Sequence, residues 1–256
     1  MPQYVFFIGG YDLEMITIRD LVASTGTGFY DAQLAWGAKA SDYKTLIELA
    51  DNDKRTPVLV ELEVDFELPA SAIVIDHHGN RSGEEASIIQ TMKLLQLEPT
   101  REHLLIAAND SGYIPAMQAM GATPEEINLI RFRDRQAQGV TDEMERQAIH
   151  AIGACWYING ITVVELPHKK FSTVTDRMFD SWPDGKQNLL VVCKTEGETP
   201  EVSYFGRGST CKELKEKFAP NSWGGGSGYG DPNGNAFAGC RTDNPKDFIN
   251  LAALQH

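Results

Sequence analysis

The chain is short of basic residues and of cysteine, and it has no long apolar run; each shortage closes a class of function. Lys and Arg number 23 against 36 Asp and Glu, for a formal net charge of −13. Such a surface repels long polyanions, which argues against a broad nucleic-acid interface. A small anionic substrate remains compatible, because a divalent cation and a few local arginines reverse the field inside a cleft. The four cysteines, Cys155, Cys193, Cys211 and Cys240, are scattered and form no C-x-x-C pair. Free thiols in a reducing compartment fit them better than disulfides or a thiolate zinc site. No apolar stretch approaches the roughly 20 residues that span a bilayer. Met1-Pro-Gln-Tyr-Val-Phe-Phe-Ile-Gly also lacks the basic start and long apolar core of a signal peptide. The expectation is a cytoplasmic protein with no membrane partner.

What is present is an ordinary globular composition, 42% hydrophobic over 256 residues, enough for one large domain or two modest ones. Val5–Ile8, the Pro57–Val64 stretch and Ala72–Ile75 are apolar, β-branched runs that read as buried strands. Between them, Met15-Ile16-Ile18-Leu21-Val22, Asp42–Asp51 and Glu84–Leu97 carry helical periodicity. Ser24–Ala38, rich in Gly and Thr, reads as loop, and Leu104–Ala108 as another apolar segment ending in acid, at an apparent strand end. Thr123-Pro124-Glu125-Glu126 marks a helix start, and a further helix is expected over Asp142–Ile152. This alternation predicts an α/β fold with a parallel sheet in an N-terminal domain over residues 1–155. After Trp156 the pattern changes to Ile161–Leu166 and Asn188–Lys194 separated by turns, then a short charged helix over Lys212–Phe218 and a glycine-dense stretch from Ser222 to Gly239. A smaller α+β domain with its linker is expected over 156–256.

The chemistry concentrates at Asp76-His77-His78, directly after Ala72-Ile73-Val74-Ile75. An acid and two imidazoles in three residues are costly to bury unless a cation or phosphate needs them, and the carboxyl ends of parallel strands are where open α/β sheets bind ligands. Asp12 and Glu14 follow the first strand, Asp110 follows Leu104–Ala108, and Glu61 or Glu63 lies in the strand before the histidines. Carboxylates gathered at one sheet edge repel unless a cation neutralises them. Oxygen ligands with imidazole suit Mn²⁺, with Mg²⁺ or Zn²⁺ less favoured. Two ions about 3.5–4 Å apart would activate water and stabilise a phosphoryl transition state. The bland alternatives are a helix-start charge pair for Asp12/Glu14 and a solvent-facing edge strand for Glu61/Glu63. Arg131-Phe-Arg133-Asp-Arg135 reads as a solvated charged face rather than a substrate patch; His103, His150 and His168 read as structural or surface residues.

Asp76-His77-His78 after an apolar strand resembles the signature of the DHH phosphoesterase superfamily, which includes RecJ-type exonucleases, short-oligonucleotide and cyclic-dinucleotide phosphodiesterases, and family II inorganic pyrophosphatases. Ile8-Gly-Gly-Tyr-Asp12-Leu-Glu14 is similar to its first motif, H-x-x-x-D-x-D, and Ala-Ala-Asn-Asp110-Ser-Gly to its fourth. The resemblance implies that Asp12 and Glu14 bind one metal each, that His77 and Asp110 are ligands, and that His78 contacts the substrate phosphate. It implies further that Asp76 supports the histidines. Arg207-Gly-Ser, Trp223-Gly224-Gly225-Gly226-Ser227 and Phe237-Ala-Gly239 resemble the DHH-associated C-terminal domain, whose glycine loop and arginine would hold the far end of the substrate.

Four positions depart from the family pattern, one of them Ser227, which stands where relatives have a histidine in the glycine loop. Ile8 replaces the first-motif histidine, Glu14 replaces an aspartate, and no aspartate stands at the bridging position of the second motif, for which Glu61, then Glu63 and Asp65, are the candidates. The primary expectation is a Mn²⁺-dependent phosphoesterase with two ions, Mg²⁺ being an alternative. It would act on a small phosphorylated substrate, such as a short oligonucleotide or dinucleotide, in a cleft between the domains. A degenerate relative that binds a nucleotide or phosphate without turnover is the second expectation and an acidic scaffold the third. A homodimer is left open.

Overall fold

The computed structural model describes residues 3–35, 37–181, 187–226 and 228–254. They divide into two compact units, Met1–Gly139 and Val140–His256. The first unit runs β1 (Tyr4–Ile8), α1 (Leu13–Ser24), β2 (Gly28–Asp31), α2 (Lys44–Asn52), β3 (Thr56–Val60), β4 (Ile73–Ile75), α3 (Ser87–Leu94), α4 (Arg101–Ala119) and α5 (Pro124–Ala137). Its four strands pair in the order β2-β1-β3-β4, all parallel. Val5, Phe6, Phe7 and Ile8 are at most 1% exposed, which requires cover on both faces. Val5, Phe7 and Leu59 pack with Tyr43, Ile47 and Ala50 under α2. Alternation sends Phe6 and Ile8 to the opposite face, where α1 lies with α3, α4 and α5 packed about it.

Two readings change here. Gly28–Asp31, inside the stretch expected to be loop, is the edge strand β2, paired with β1 from Val5↔Gly28 to Ile8↔Asp31. Leu104–Asp110, expected as a strand ending in acid, belongs to helix α4. Thr100 caps that helix by accepting from the His103 amide. Leu and Ala favour helix where the β-branched Ile73-Val74-Ile75 favours strand, and this composition separates the two apolar runs.

The second unit runs α6 (Asp142–Gly153), β5 (Trp156–Ile158), β6 (Ile161–Leu166), α7 (Ser172–Thr175), β7 (Leu189–Cys193), β8 (Glu201–Arg207), α8 (Gly208–Lys217), β9 (Ser222–Gly225), β10 (Asn235–Arg241) and α9 (Pro245–Leu254). Its sheet has the order β5-β6-β7-β8-β10-β9 and is antiparallel except for β6–β7. Cys211 and Leu214 of α8 and Phe248 and Ala252 of α9 pack on Val163, Val192 and Tyr204. Ala148, Ala151 and Val174 pack on Val164 and Val191. Helix α6, read from sequence with the first domain, thus builds the core of the second unit. The glycine-dense stretch is the β9–β10 pair with a turn between. Gly239 is required there, because a Cβ would lie 2.7 Å from the Trp223 indole. Cys193, Cys211 and Cys240 are buried and Cys155 is half-buried; all four are free thiols. No described helix is long and apolar enough to cross a membrane.

Candidate metal centre

The carboxyl ends of β1, β3 and β4 lie side by side and continue the ladder past the strands. The Gly9 amide donates to Val60 O and the Glu61 amide to Ile75 O, both at 2.9 Å. Only glycine fits at position 9, where a Cβ would stand 2.4 Å from Glu61 O. Glu61 takes the left-handed conformation, φ +50°, which costs a non-glycine residue about 1–3 kcal/mol. That turn aims its side chain at the cluster: Ser87 Oγ donates to Glu61 Oε1 at 2.9 Å and His77 Nε2 lies 3.3 Å from the same oxygen. Of the two other bridging candidates, Asp65 accepts from the Ser41 amide and hydroxyl, and Glu63 is exposed on the β-bridge with Lys39.

Asp12 is the N-cap of α1, its Oδ1 accepting from the Met15 amide at 2.9 Å. Glu14, 2% exposed, turns inward, and its Oε1 accepts from the Ile88 amide at 3.0 Å, an otherwise unanswered donor in the first turn of α3. One oxygen of each carboxylate is therefore fixed by a donor. The other oxygen of Glu14 lies 3.7 Å from His77 Nε2, and Asp110 Oδ2 lies 2.6 Å from that nitrogen. A single ring nitrogen carries at most one proton, so it cannot satisfy three carboxylates. Accordingly Glu14 Oε2, His77 Nε2 and Asp110 Oδ2 are buried without completing a hydrogen bond. Ligand atoms of Glu61, His77, His78 and Asp110 all fall within 4.8 Å of one another.

His78 is exposed beside this group. Its ring lies 4.3 Å from that of His77, and Asp76 Oδ1 accepts from the His78 amide at 2.9 Å and sits 3.2 Å from its Nδ1. A cleft of about 230 Å³ opens here between Gly10, Gly37, Ala38, Glu61, Glu63, Asp76, His78 and Gly79.

Crowding shows in the proton affinities. Burial raises Asp12 to about 7, against the Met15 amide and helped by the charges of Asp110, Glu61 and Asp134. Burial also raises Glu14 well above the usual range. Burial opposes a charged His77, but the Asp110, Glu14 and Glu61 carboxylates overcome it and push the imidazole up to about 12. Glu61 is drawn down, against its burial, by His77 and His78. One imidazolium among several buried carboxylates is a poor substitute for a divalent charge. An oxygen-rich set with imidazole fits Mn²⁺, Mg²⁺ or Zn²⁺ and gives no thiolate to a softer metal.

The structure brings Glu14, Glu61, His77, His78 and Asp110 together, with Asp12 and Asp76 at the margin. Asp110 arrives from a helix rather than a strand, at the break of α4 where Gly112 and Tyr113 leave helical geometry. In the second unit, Arg207 is exposed at the end of β8. Gly224 and Gly225 pair with Ala238 and Phe237 inside β9, and Gly226 follows at φ +104°. Ser227 lies outside the described residues. The first two amides of α8 are already answered: Gly208 donates to Gly234 O at 2.8 Å and Ser209 to Asp231 O at 3.2 Å. Gly224 and Gly225, expected in an open glycine cradle, are thus strand residues, and the start of α8 is closed by the carbonyls of Asp231 and Gly234.

Arg131 corrects a second expectation. The Arg131–Arg135 stretch is not a solvated face: Arg131, Asp134 and Arg135 are 7%, 5% and 5% exposed. Ser87 and Gln90, whose side chain donates to Asp76 O at 3.0 Å, were not singled out by sequence either. Ser87 opens the apolar run of α3, and that position was its available signal.

No protein-family profile matches this chain, and no curated protein matches it. Among solved structures, the pGpG-specific phosphodiesterase PggH from Vibrio cholerae matches with 10% identity over 99% of this chain and 98% of that chain, at a TM-score of 0.41. A likeness at that level says nothing about the chemistry of this chain, which rests on the geometry above.

Proposed function

We propose that the first unit is a divalent-metal-dependent phosphoesterase that hydrolyses a small phosphodiester or nucleotide-like substrate. The observation that carries this reading is the convergence of Glu14 Oε2, His77 Nε2 and Asp110 Oδ2, buried and unanswered, beside Glu61. Unsatisfied buried polar atoms cost about 1–3 kcal/mol each, more when charged, and their concentration at a strand edge is explained by a cation they hold. Glu14, Glu61, His77 and Asp110, with Asp12 beside them, would hold it, manganese being the ion that best suits mixed carboxylate and imidazole donors. When bound, the ion supplies Lewis acidity toward phosphoryl oxygens and toward water. Phosphate-ester chemistry is supported by the resemblance of Asp12-Leu-Glu14, Asp76-His77-His78 and Asp110 to the DHH phosphoesterase motifs.

The chain's own residues have separable roles in this reading. Asp76 accepts at His78 Nδ1 and holds that ring at the cleft wall, where its other nitrogen would meet a nonbridging phosphate oxygen. The small cleft, with glycines at three of its walls, admits one phosphoryl group by close backbone approach. Arg207 and the Gly224–Gly226 segment, with Ser227, enter only as a separate anion-contact candidate.

The test is hydrolysis of bis(p-nitrophenyl) phosphate with added Mn²⁺. Wild type turns over, and His77→Ala loses about two orders of magnitude or more, since a lost ligand removes several kcal/mol of charge stabilisation. Equal residual activity in both proteins overturns the assignment. A second reading, ligand binding without turnover, is favoured by Ile8: at 1% exposure it gives the site no donor where the family carries histidine. Metal counting separates the two. Two Mn²⁺ per chain with turnover support the hydrolase; one ion with nucleotide-induced stabilisation and no turnover supports the binding protein.

A further inference from the structure

The least expected feature of the first unit outside the cluster is a buried ion pair on α5. Asp134 Oδ1 accepts from the Leu13 amide at 3.2 Å. Its Oδ2 accepts from Arg131 Nη1 at 2.8 Å and from Gln138 Nε2 at 3.0 Å. The same Arg131 nitrogen donates to Asn109 Oδ1 at 2.8 Å, and the guanidinium lies over the Tyr113 ring, 4.5 Å from its centroid. Tyr113 has φ +58° and ψ −151°, a region adopted almost only by glycine, so the surrounding contacts must hold it there.

Sequence neighbours give these contacts their meaning. Leu13 stands between Asp12 and Glu14, and Asn109 precedes Asp110. A single buried pair therefore grips the backbone between two carboxylates of the cluster and the side chain next to a third. A buried ion pair is poor evidence of stabilisation, since well-packed apolar residues often do as well. One guanidinium nitrogen held between Asp134 and Asn109, with its plane over Tyr113, fixes distances, which apolar packing does not.

We propose that Arg131 and Asp134 are positioning residues for the metal centre: they join the start of α1 to the break in α4 and so set the approach of Asp110 to Asp12 and Glu14. This inference rests on the metal-dependent reading above.

The experiment measures Mn²⁺ affinity by titration calorimetry and by loss of the free-Mn²⁺ paramagnetic resonance signal, alongside Tm. The proteins are wild type, Arg131→Lys, the paired Arg131→Met/Asp134→Leu, and Ile47→Val as a stability control under α2. Arg131→Lys keeps the charge and loses the planar guanidinium over Tyr113; the paired variant removes both charges of the pair. Both are expected to weaken Mn²⁺ binding by about 10–100-fold, the usual loss on removing an outer support of a metal site. Ile47→Val is expected to lower Tm and leave the affinity as in wild type. Affinities within twofold of wild type for both Arg131 variants overturn the positioning role while the metal reading stands. A wild type that binds no Mn²⁺ overturns both. If Arg131→Lys does not fold, the paired variant decides.

Discussion

The two sheets end in opposite ways. In the first unit, the strand ends deliver Glu61, Asp76 and His77 into a space already holding Glu14 and Asp110, and buried polar atoms face one another unanswered. In the second, β8 runs straight into α8, and the amides that open that helix donate to the carbonyls of Asp231 and Gly234. Glycine is abundant at both ends and serves different purposes. Gly9 lets two strands approach so that Glu61 can turn inward, whereas Gly208 lets a turn close over a helix start. On the metal-dependent reading, the difference separates an end organised for a ligand from one organised for stability. A chain selected for stability alone would not retain the first arrangement, because each crowded carboxylate raises the cost of its neighbours.

The largest effect that can break this comparison is steric. A Cβ at Gly208 would stand 1.7 Å from Gly228 O and 2.8 Å from Asp231 O. Gly208→Ala is expected to destabilise the second unit by about 3 kcal/mol or more, because backbone atoms cannot yield as a side-chain tip can. Mn²⁺ affinity of the first unit should be unchanged. A melting temperature equal to wild type would show that the turn does not close on α8, and the contrast between the two sheet ends would fall.

An intermediate effect sharpens the other side. Glu14→Gln keeps an oxygen to accept from the Ile88 amide and removes an ionisable carboxyl from the cluster. Metal-free protein should gain about 1 kcal/mol of stability, the usual return when a residue kept for function is relaxed. Mn²⁺ binding should weaken by about tenfold or more, as one charged ligand is lost. Chemical denaturation in chelator, paired with calorimetric titration, reads both. A Glu14→Gln protein that is less stable without metal and binds Mn²⁺ as wild type does would mean that the carboxylate is structural.

The legible part of this molecule is the part whose signal is local. Ile73-Val74-Ile75 before Asp76-His77-His78 announces a strand and the polar residues at its end. Asp12 and Glu14 after Gly9-Gly10 announce a helix start. Asp110 was legible as an acid after an apolar run, yet its setting was not: Leu and Ala place it on a capped helix, two residues before the break at Gly112–Tyr113. Arg131 and Asp134 were illegible for a stricter reason. Arg-Phe-Arg-Asp-Arg has the composition of a solvated face, and its burial depends on Leu13 and Asn109, distant in sequence. Gly28–Asp31 lacked the length and apolar content of a central strand, and an edge strand needs neither.

The smallest effect compares two carboxylates at helix starts. Asp12 caps α1 inside the crowded cluster and is raised to about 7, chiefly by burial. Glu126 closes the capping box of α5: it accepts from the Thr123 amide at 2.9 Å, and Arg101 holds it from outside. The Arg101 contact, then the Thr123 amide, draw Glu126 from 4.5 down to about 2. A carboxyl depressed in the folded state stabilises the fold above its unfolded pKa, and that contribution is lost as pH falls toward the folded value. The contribution of Glu126 is therefore complete above about pH 4.5 and fades between there and about pH 2. Solvent screening at this exposed site keeps it small. Glu126→Gln should lower Tm slightly at pH 7, with the gap to wild type closing as the pH approaches 2. A gap that persists unchanged at low pH would assign the effect to the neutral cap hydrogen bond rather than to the charge. The contrast with Asp12 would then reflect burial alone, with no part played by a cationic partner.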